Sequence, residues 1–161
     1  MRKITRTVAI TVSFALLAMI GVQTAVSARE DDPQTVVVTA TRSAPNGGVG
    51  AQSIITCTIS IDNPHKSGHV IGTANVVSHW VCSGFVPRLT LSTKLWRSGI
   101  QVGSGNSAAN GSAWLNGNAA ATCLNAQYQG TASGTVTFPP GYNPPSGSAN
   151  VSSPVVAISN C

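Results

Sequence analysis

Residues 87–97 read Pro-Arg-Leu-Thr-Leu-Ser-Thr-Lys-Leu-Trp-Arg, and period-two alternation is clearest in this stretch. Leu89, Leu91 and Leu95 fall on one side. The other side carries Arg88, Thr90, Ser92, Lys94 and Trp96. Because successive side chains of a strand point to opposite faces, the pattern predicts a strand with one buried face. Ser98-Gly99 then predicts a hairpin into residues 100–102.

The same alternation extends in both directions along the chain. Residues 51–61 and 70–82 each predict a half-buried strand, with inward positions at Ile55, Cys57, Ile59, Ile61, Val70, Ala74, Val76, Trp80 and Cys82. Farther on we predict a loop over 103–110, a short strand over 112–115, a long strand over 120–138 and a final strand from about 150 to 161. Without a helical stripe, the fold class is all-β, most simply an immunoglobulin-like antiparallel sandwich over 51–161; a jelly-roll variant is the alternative.

The first 28 residues have the parts of a secretory signal peptide. Basic residues come first, residues 8–22 are almost unbroken apolar sequence, and Val26-Ser27-Ala28 supplies the small residues that signal peptidase accepts. An uncleaved anchor is the alternative, but the apolar stretch is short for a bilayer span and three acids follow it. We expect cleavage after Ala28, a secreted extracellular protein, and no membrane attachment afterwards.

The charge balance changes when this segment is removed. The whole chain has nine basic and four acidic residues, a net charge of +5. Three of the nine, Arg2, Lys3 and Arg6, leave with the signal, so six bases face four acids, a net charge of +2. Nucleic-acid binding needs a dense basic stripe, and the few bases here are scattered. We therefore expect no nucleic-acid partner.

The four cysteines predict two disulfides, since all follow the signal and none forms a paired Cys-x-x-Cys unit typical of zinc. Cys57 and Cys82 lie on inward faces and should pair. In 120–138 the even positions form the core face, so Cys123 points outward. A hairpin centred on Tyr142 places Cys161 opposite Cys123, which predicts the second pair.

Residues able to carry catalysis or bind a metal are few. His65, His69 and His79 could meet at a metal, but His65 and His69 lie across a Pro/Gly turn, and solvated histidines explain them better. No Gly-x-Ser-x-Gly elbow is present, and Asp62 is the only acid in the body, which excludes a carboxylate pair. We expect no enzyme, no catalytic residue, no metal and no cofactor.

Exposed aromatic residues leave a carbohydrate-binding module open as an alternative. Trp96, Trp114, Tyr128 and Tyr142 could stack on sugar rings, and Trp96 lies on an outward face with Arg88 and Lys94 at strand spacing. Against this, Tyr128 falls on a core face, and a lone outward tryptophan often packs at a protein interface.

An N-terminal arm of residues 29–42 is separated from the body by a Gly/Pro-rich linker at 43–50. Its run Thr35-Val-Val-Val-Thr-Ala-Thr41 has strong strand propensity and cannot bury itself. Three fates are open: a disordered terminus, the first strand of its own sandwich, or a strand added to a partner's sheet. We interpret it as a detached strand for partner binding, with the contact residues Val36, Val37, Val38, Thr39, Ala40, Thr41 and Arg42.

Three body segments carry a resemblance to a known group. Asn63-Pro-His-Lys-Ser-Gly68, Gly117-Asn-Ala-Ala-Ala-Thr-Cys123 and Phe138-Pro-Pro-Gly-Tyr-Asn-Pro-Pro-Ser-Gly147 look like small secreted proteins of actinobacteria. With its N-terminal strand, the mature chain resembles the adaptor subunit of the umbrella toxin particles of streptomycetes. That resemblance implies a role in interbacterial competition, joining a toxin stalk subunit to lectin subunits. It also implies that residues 36–42 insert into the cleft of a degenerate trypsin-like domain.

The sequence therefore predicts a secreted, non-enzymatic adaptor that links subunits of an extracellular antibacterial toxin complex. The alternative is a serine-protease inhibitor with Arg42 as its specificity residue, since Thr41-Arg42 suits an acidic trypsin-type pocket. Protease inhibitors hold the reactive segment rigid, often beside a disulfide, whereas here no cysteine lies within ten residues of Arg42. This difference favours capture of a partner over inhibition.

Overall fold

The computed structural model describes residues 34–43 and 52–161, and within them every regular element is a strand. The strands in chain order are β1 (Gln34–Arg42), β2 (Ser53–Ile61), β3 (His65–Lys66), β4 (Thr73–Arg97), β5 (Ile100–Thr122), β6 (Ala126–Thr137), β7 (Ser146–Ser152) and β8 (Val156–Ile158). All pairings are antiparallel. The predicted all-β antiparallel fold is confirmed. Among the described residues no helix is long and apolar enough to span a membrane.

Strands β4 and β5 form one long hairpin that belongs to both layers of the sandwich. Its turn, Ser98-Gly99, has positive φ at both residues, 49° and 80°, as a two-residue hairpin turn requires. The register shifts between Val81 and Val86, where a bulge bends the pair. The early half of β4 pairs with β2, and the late half pairs with β6. The sheet order is β1-β2-β4-β6-β7, with β5 beside β4 and β8 beside β6.

The core lies between the two layers. Trp80, Tyr128, Ile59, Leu89 and Leu95 are fully buried there. Trp80 of one layer lies directly under Gly134 of the other, and its indole nitrogen donates to the carbonyl of Thr90 at 3.1 Å. The even positions of β6 and the leucines of residues 87–97 face inward as the alternation predicted.

Both predicted disulfides are present, Cys57–Cys82 and Cys123–Cys161. Cys57 and Cys82 are direct partners in the β2–β4 register. At the C-terminus Ala126 pairs with Ile158, as the hairpin argument required. The outward placement of Cys123 was wrong, because the chain leaves the strand at residues 123–125 and the alternation does not continue across that break. Cys123 is therefore 6% exposed.

Three predicted segments differ from the structure. Residues 103–110, expected to form a loop, belong to β5, and the long strand expected over 120–138 is divided between β5 and β6. The glycines and alanines that suggested a loop suit a strand whose two halves approach closely: Gly105 faces the carbonyl of Asn118 on the same strand. Val70, predicted inward, lies exposed in the turn between β3 and β4, because β4 begins only at Thr73.

The interpretation of the arm as detached is corrected by the pairing of β1. All nine residues of Gln34–Arg42 pair with β2, from Gln34 opposite Ile61 to Arg42 opposite Ser53. Ala40 is completely buried, and Val36 and Val38 pack against the core. This is the second of the three fates, the first strand of the chain's own sandwich, because the edge of β2 is the nearest template for an apolar strand. The signal peptide, residues 29–33 of the arm and the predicted linker, Ser43 apart, fall outside the described residues.

Candidate binding surfaces

The seven predicted partner-binding residues divide between the two sides of β1. Val36, Val38 and Ala40 point to the core, half-buried or buried. Val37 and Thr39 are exposed on the outer side. As long as β1 stays paired, only the outward residues can contact a partner.

The end of β1 is held by the segment between β6 and β7. Thr41 and Asn143 exchange backbone hydrogen bonds of 2.8 and 3.0 Å. The Tyr142 hydroxyl lies 2.6 Å from the Ser53 hydroxyl on β2. The Arg42 guanidinium lies 5.2 Å from the centre of the Tyr142 ring, in cation–π geometry. Arg42 is exposed, but it is the last residue of a paired strand, whereas an inhibitor's specificity residue projects from a loop.

Five exposed apolar side chains lie on the outer side of β1, β2, β4 and β5, with threonines between some of them. We call this set the apolar face; it consists of Val37, Ile54, Val81, Phe85 and Trp114. Their exposed fractions lie between 53% and 75%. The register places Val37 opposite Thr58, Thr58 opposite Val81, and Val81 opposite Trp114.

Phe85 and Ile54 extend the apolar face into the next rows. Ile54 lies opposite Thr41 of β1. Phe85 follows Gly84, and a Cβ on Gly84 would lie 3.9 Å from the Ile55 side chain, which sets Phe85 beside Ile54. The five side chains therefore share the outer side of one layer across four strands, where a solvent-facing sheet surface normally carries polar residues.

The three histidines do not converge. His79 contacts Asn116 Oδ1 through Nδ1 at 2.9 Å and Asp62 through Nε2 at 3.4 Å. His65 and His69 are exposed near the β3–β4 turn, and His65 contacts the backbone of Asn63. Within residues 34–43 and 52–161 no group of three or more His, Cys, Asp or Glu side chains is placed to hold a metal.

The outer side of the second layer has the opposite chemistry. Three rows of four side chains cross β5, β4, β6 and β7 in register, and we call them the polar face. The rows are Ala108-Thr90-Thr135-Ser148, Asn106-Ser92-Ser133-Asn150 and Ser104-Lys94-Thr131-Ser152. Apart from Ala108 and Lys94, every position is Ser, Thr or Asn, and all are exposed or half-buried.

Connected depressions lie along the polar face. One of about 650 Å³ covers the first and second rows, and another of about 220 Å³ covers the second and third rows and reaches Trp96. A third, of about 480 Å³, lies beyond Trp96. The Trp96 indole nitrogen donates to the Thr131 hydroxyl at 2.9 Å, which fixes the ring at this end of the face.

Sequence reasoning placed Thr90, Ser92, Lys94 and Trp96 on one outward side of a strand but missed the positions that β5, β6 and β7 add to the polar face. The available signal was the run of Ser, Thr and Asn at alternate positions of 104–110, 131–137 and 146–152. Of the other aromatic residues considered for sugar binding, Trp114 belongs to the apolar face. Tyr128 is buried, with its hydroxyl bonded to the backbone of Leu124, and Tyr142 is half-buried beside Arg42.

Comparisons with protein-family models, with curated proteins and with solved structures found no match to this chain.

Proposed function

We propose that this chain is a secreted, non-enzymatic adaptor that binds another extracellular protein through its apolar face. The observation that carries the proposal is the register-aligned set Val37, Val81 and Trp114, extended by Ile54 and Phe85. Isolated exposed apolar residues are ordinary, but five of them concentrated on one side of one layer, two of them aromatic, are typical of an interaction site. Two disulfides are consistent with an oxidising, extracellular compartment.

The composition of the apolar face favours a protein as the partner. Trp and Phe are enriched in the buried centre of protein interfaces, and Lys, Glu and Asp are depleted there. The face contains two aromatic and three aliphatic residues and no charged one. Thr39, Thr56 and Thr58 lie among them, so their hydroxyl groups can form hydrogen bonds at the interface.

The position of β1 separates two ways of binding. Insertion of residues 36–42 into a partner's cleft, as the resemblance to the umbrella toxin adaptor implies, would require β1 to leave β2 and expose Ala40. Docking on the apolar face requires no rearrangement and still uses Val37. Because nine register pairs would be lost in the first route, we favour the second. The partner class remains the one that the resemblance implies, a degenerate trypsin-like domain of a toxin complex.

The central experiment compares surface variants of the secreted, tagged full chain in culture medium. Proteins that co-purify with the native chain are identified by mass spectrometry, and the leading candidate is then titrated as a purified protein. Phe85→Ser/Trp114→Ser should weaken that complex by about a hundredfold, since central aromatic residues often contribute 2 kcal/mol or more. Leu124→Ser is the matched control, because Leu124 is 51% exposed but lies outside the apolar face. Equal affinity of all three chains would overturn docking on this face.

A disulfide lock distinguishes docking from strand insertion. Thr35 and Ser60 are register partners on the outer side of β1 and β2, one row beyond Val37, and neither is one of the five apolar residues. Thr35→Cys/Ser60→Cys, with the new bond verified by peptide mapping, would hold β1 in its sheet. We expect the locked chain to bind the partner as well as the native chain does. Loss of binding on locking, restored by reduction of that bond, would establish strand insertion instead.

The inhibitor alternative has its own test. Arg42→Ala removes the only side chain suited to an acidic specificity pocket at the end of β1, so an inhibitor of trypsin-like enzymes would lose nearly all its effect. An adaptor would lose little, because the Arg42 guanidinium lies over Tyr142 rather than on the apolar face. Two quantities are measured for the native and the Arg42→Ala chains: the inhibition constant against trypsin and the affinity for the purified partner.

A further inference from the structure

We propose that the polar face is a second binding site, whose ligand is an extended, uncharged oligosaccharide. This site lies on the other layer of the sandwich, and the inference does not depend on the apolar face or its partner. It rests on three observations: the chemistry of the rows, the continuity of the depressions, and the placement of Trp96.

The rows provide the hydrogen-bonding groups that sugar hydroxyls require. Each Ser or Thr hydroxyl both donates and accepts, and each Asn amide offers two donors and a carbonyl acceptor. Directly opposite positions on antiparallel strands lie about 5 Å apart, so the rows form a two-dimensional array of such groups. Thr90 and Thr135 already bond each other at 2.6 Å. A protein partner would be matched poorly, since the face has no apolar centre to bury.

The depressions form one continuous path along the face. The first two share Ser92, Ser133 and Asn150, and the second and third share Trp96 and Thr131. The volumes of the first and third, about 650 and 480 Å³, fall within the range of roughly 300–1,000 Å³ typical of small-molecule sites, and the second, of about 220 Å³, joins them. A path of this kind fits several linked sugar rings better than one compact ligand.

Trp96 provides an apolar surface between the second and third depressions. The C–H side of a pyranose ring is apolar and contacts the face of an aromatic ring, while its hydroxyls point to the rim. The bond from the Trp96 indole to Thr131 holds the ring in place before any ligand arrives. Since β4 and β6 are paired along this stretch, the site is preorganised and little ordering entropy is lost on binding.

The charges of the face favour an uncharged ligand. Lys94 is the one charged residue in the three rows; Arg88 lies in the row beside them, with one guanidinium N–H bonded to Asn110 at 3.1 Å. Within the described residues Asp62 is the one carboxylate side chain, and it lies beside His79 in the other layer. A single cation among eleven neutral side chains provides too little attraction for a polyanionic sugar.

Binding is tested with the purified full chain and a panel of hexameric cello-, xylo-, manno- and N-acetylchito-oligosaccharides. The measurements are isothermal titration and intrinsic tryptophan emission, to which Trp80, Trp96 and Trp114 all contribute. We expect at least one probe to bind and to change the emission. Ser133→Tyr obstructs the residue shared by the first two depressions and should weaken that binding at least about tenfold. Asn150→Ala, also exposed and therefore compatible with folding, should weaken it as well.

Trp114→Ala is the matched control, because it removes an exposed tryptophan from the opposite layer. It should leave oligosaccharide affinity unchanged. No binding by any probe would overturn the proposal. So would binding that survives both polar-face variants, or binding that disappears with Trp114→Ala. Circular dichroism and thermal unfolding of each variant exclude misfolding as the cause of a loss.

Discussion

Gly134 illustrates how a single residue permits the two layers to meet. A Cβ at this position would meet the indole nitrogen of Trp80 and, at 2.7 Å, the carbonyl oxygen of Thr90. These are the two groups that bond each other in the centre of the core. Neither can move freely, because Trp80 is fully buried and Thr90 is paired on both sides.

We therefore predict that Gly134→Ala lowers the free energy of unfolding by roughly 1–3 kcal/mol, the usual cost of overpacking. The control is Gly84→Ala, where the new Cβ would lie 3.9 Å from Ile55, an ordinary van der Waals distance. Urea denaturation of both variants checks the prediction. A Gly134→Ala chain as stable as the Gly84→Ala chain would mean that the layers are less closely packed than described.

At the scale of an element, β1 is both part of the core and part of a binding surface. Alternate residues serve the two roles, because neighbouring side chains of a strand point to opposite sides. Val38 packs against the core, where its side chain occupies the position that a Cβ on Gly147 would take. Val37, in contrast, is 53% exposed on the apolar face.

Replacing either valine by threonine should affect a different property of the protein. Val38→Thr buries part of a hydroxyl without a partner and should lower the free energy of unfolding by about 1–2 kcal/mol. Val37→Thr should change it by less than about 0.5 kcal/mol but weaken partner binding. Thermal unfolding and titration with the purified partner measure both effects. Equal stability of the two variants would contradict the pairing of β1 with β2.

At the scale of the whole molecule, the two disulfides stabilise different parts. Cys57–Cys82 joins β2 and β4 inside the core and closes 25 residues. Cys123–Cys161 closes 38 residues and ties the chain end beside β8, which has only three register pairs with β6. Loop closure of these lengths contributes about 3–4 kcal/mol through the unfolded state in either case.

Hydrogen exchange should separate the two bonds. Cys57→Ala/Cys82→Ala should raise exchange across β2, β4 and β6, because the core opens as one unit. Cys123→Ala/Cys161→Ala should raise it first in residues 156–161, through local opening of β8. If the second variant accelerates exchange uniformly, β8 belongs to the cooperative core and the distinction fails.

The sequence by itself determined which side of most strands faces inward, both disulfides and the register of the C-terminal strand. These features depend on the two-residue period of strands and on the centre of one hairpin, which are local properties of the chain. The prediction from this period was wrong at residues 123–125, where the chain leaves the strand and the alternation ends. It was also wrong at residues 103–110, a segment of small residues that we predicted as a loop but that belongs to β5.

Only the tertiary structure decided what β1 pairs with, that the β4–β5 hairpin bends into both layers, and which outward residues become neighbours. The alternation of apolar and polar residues indicates that Val37, Val81 and Trp114 point outward. It does not indicate that their strands lie side by side in one layer. The apolar face and the polar face each join residues from four strands, some of them far apart in sequence. The order of the strands depends on burying the apolar sides of all strands together in one core. A local sequence pattern describes one strand at a time, so it does not encode that order.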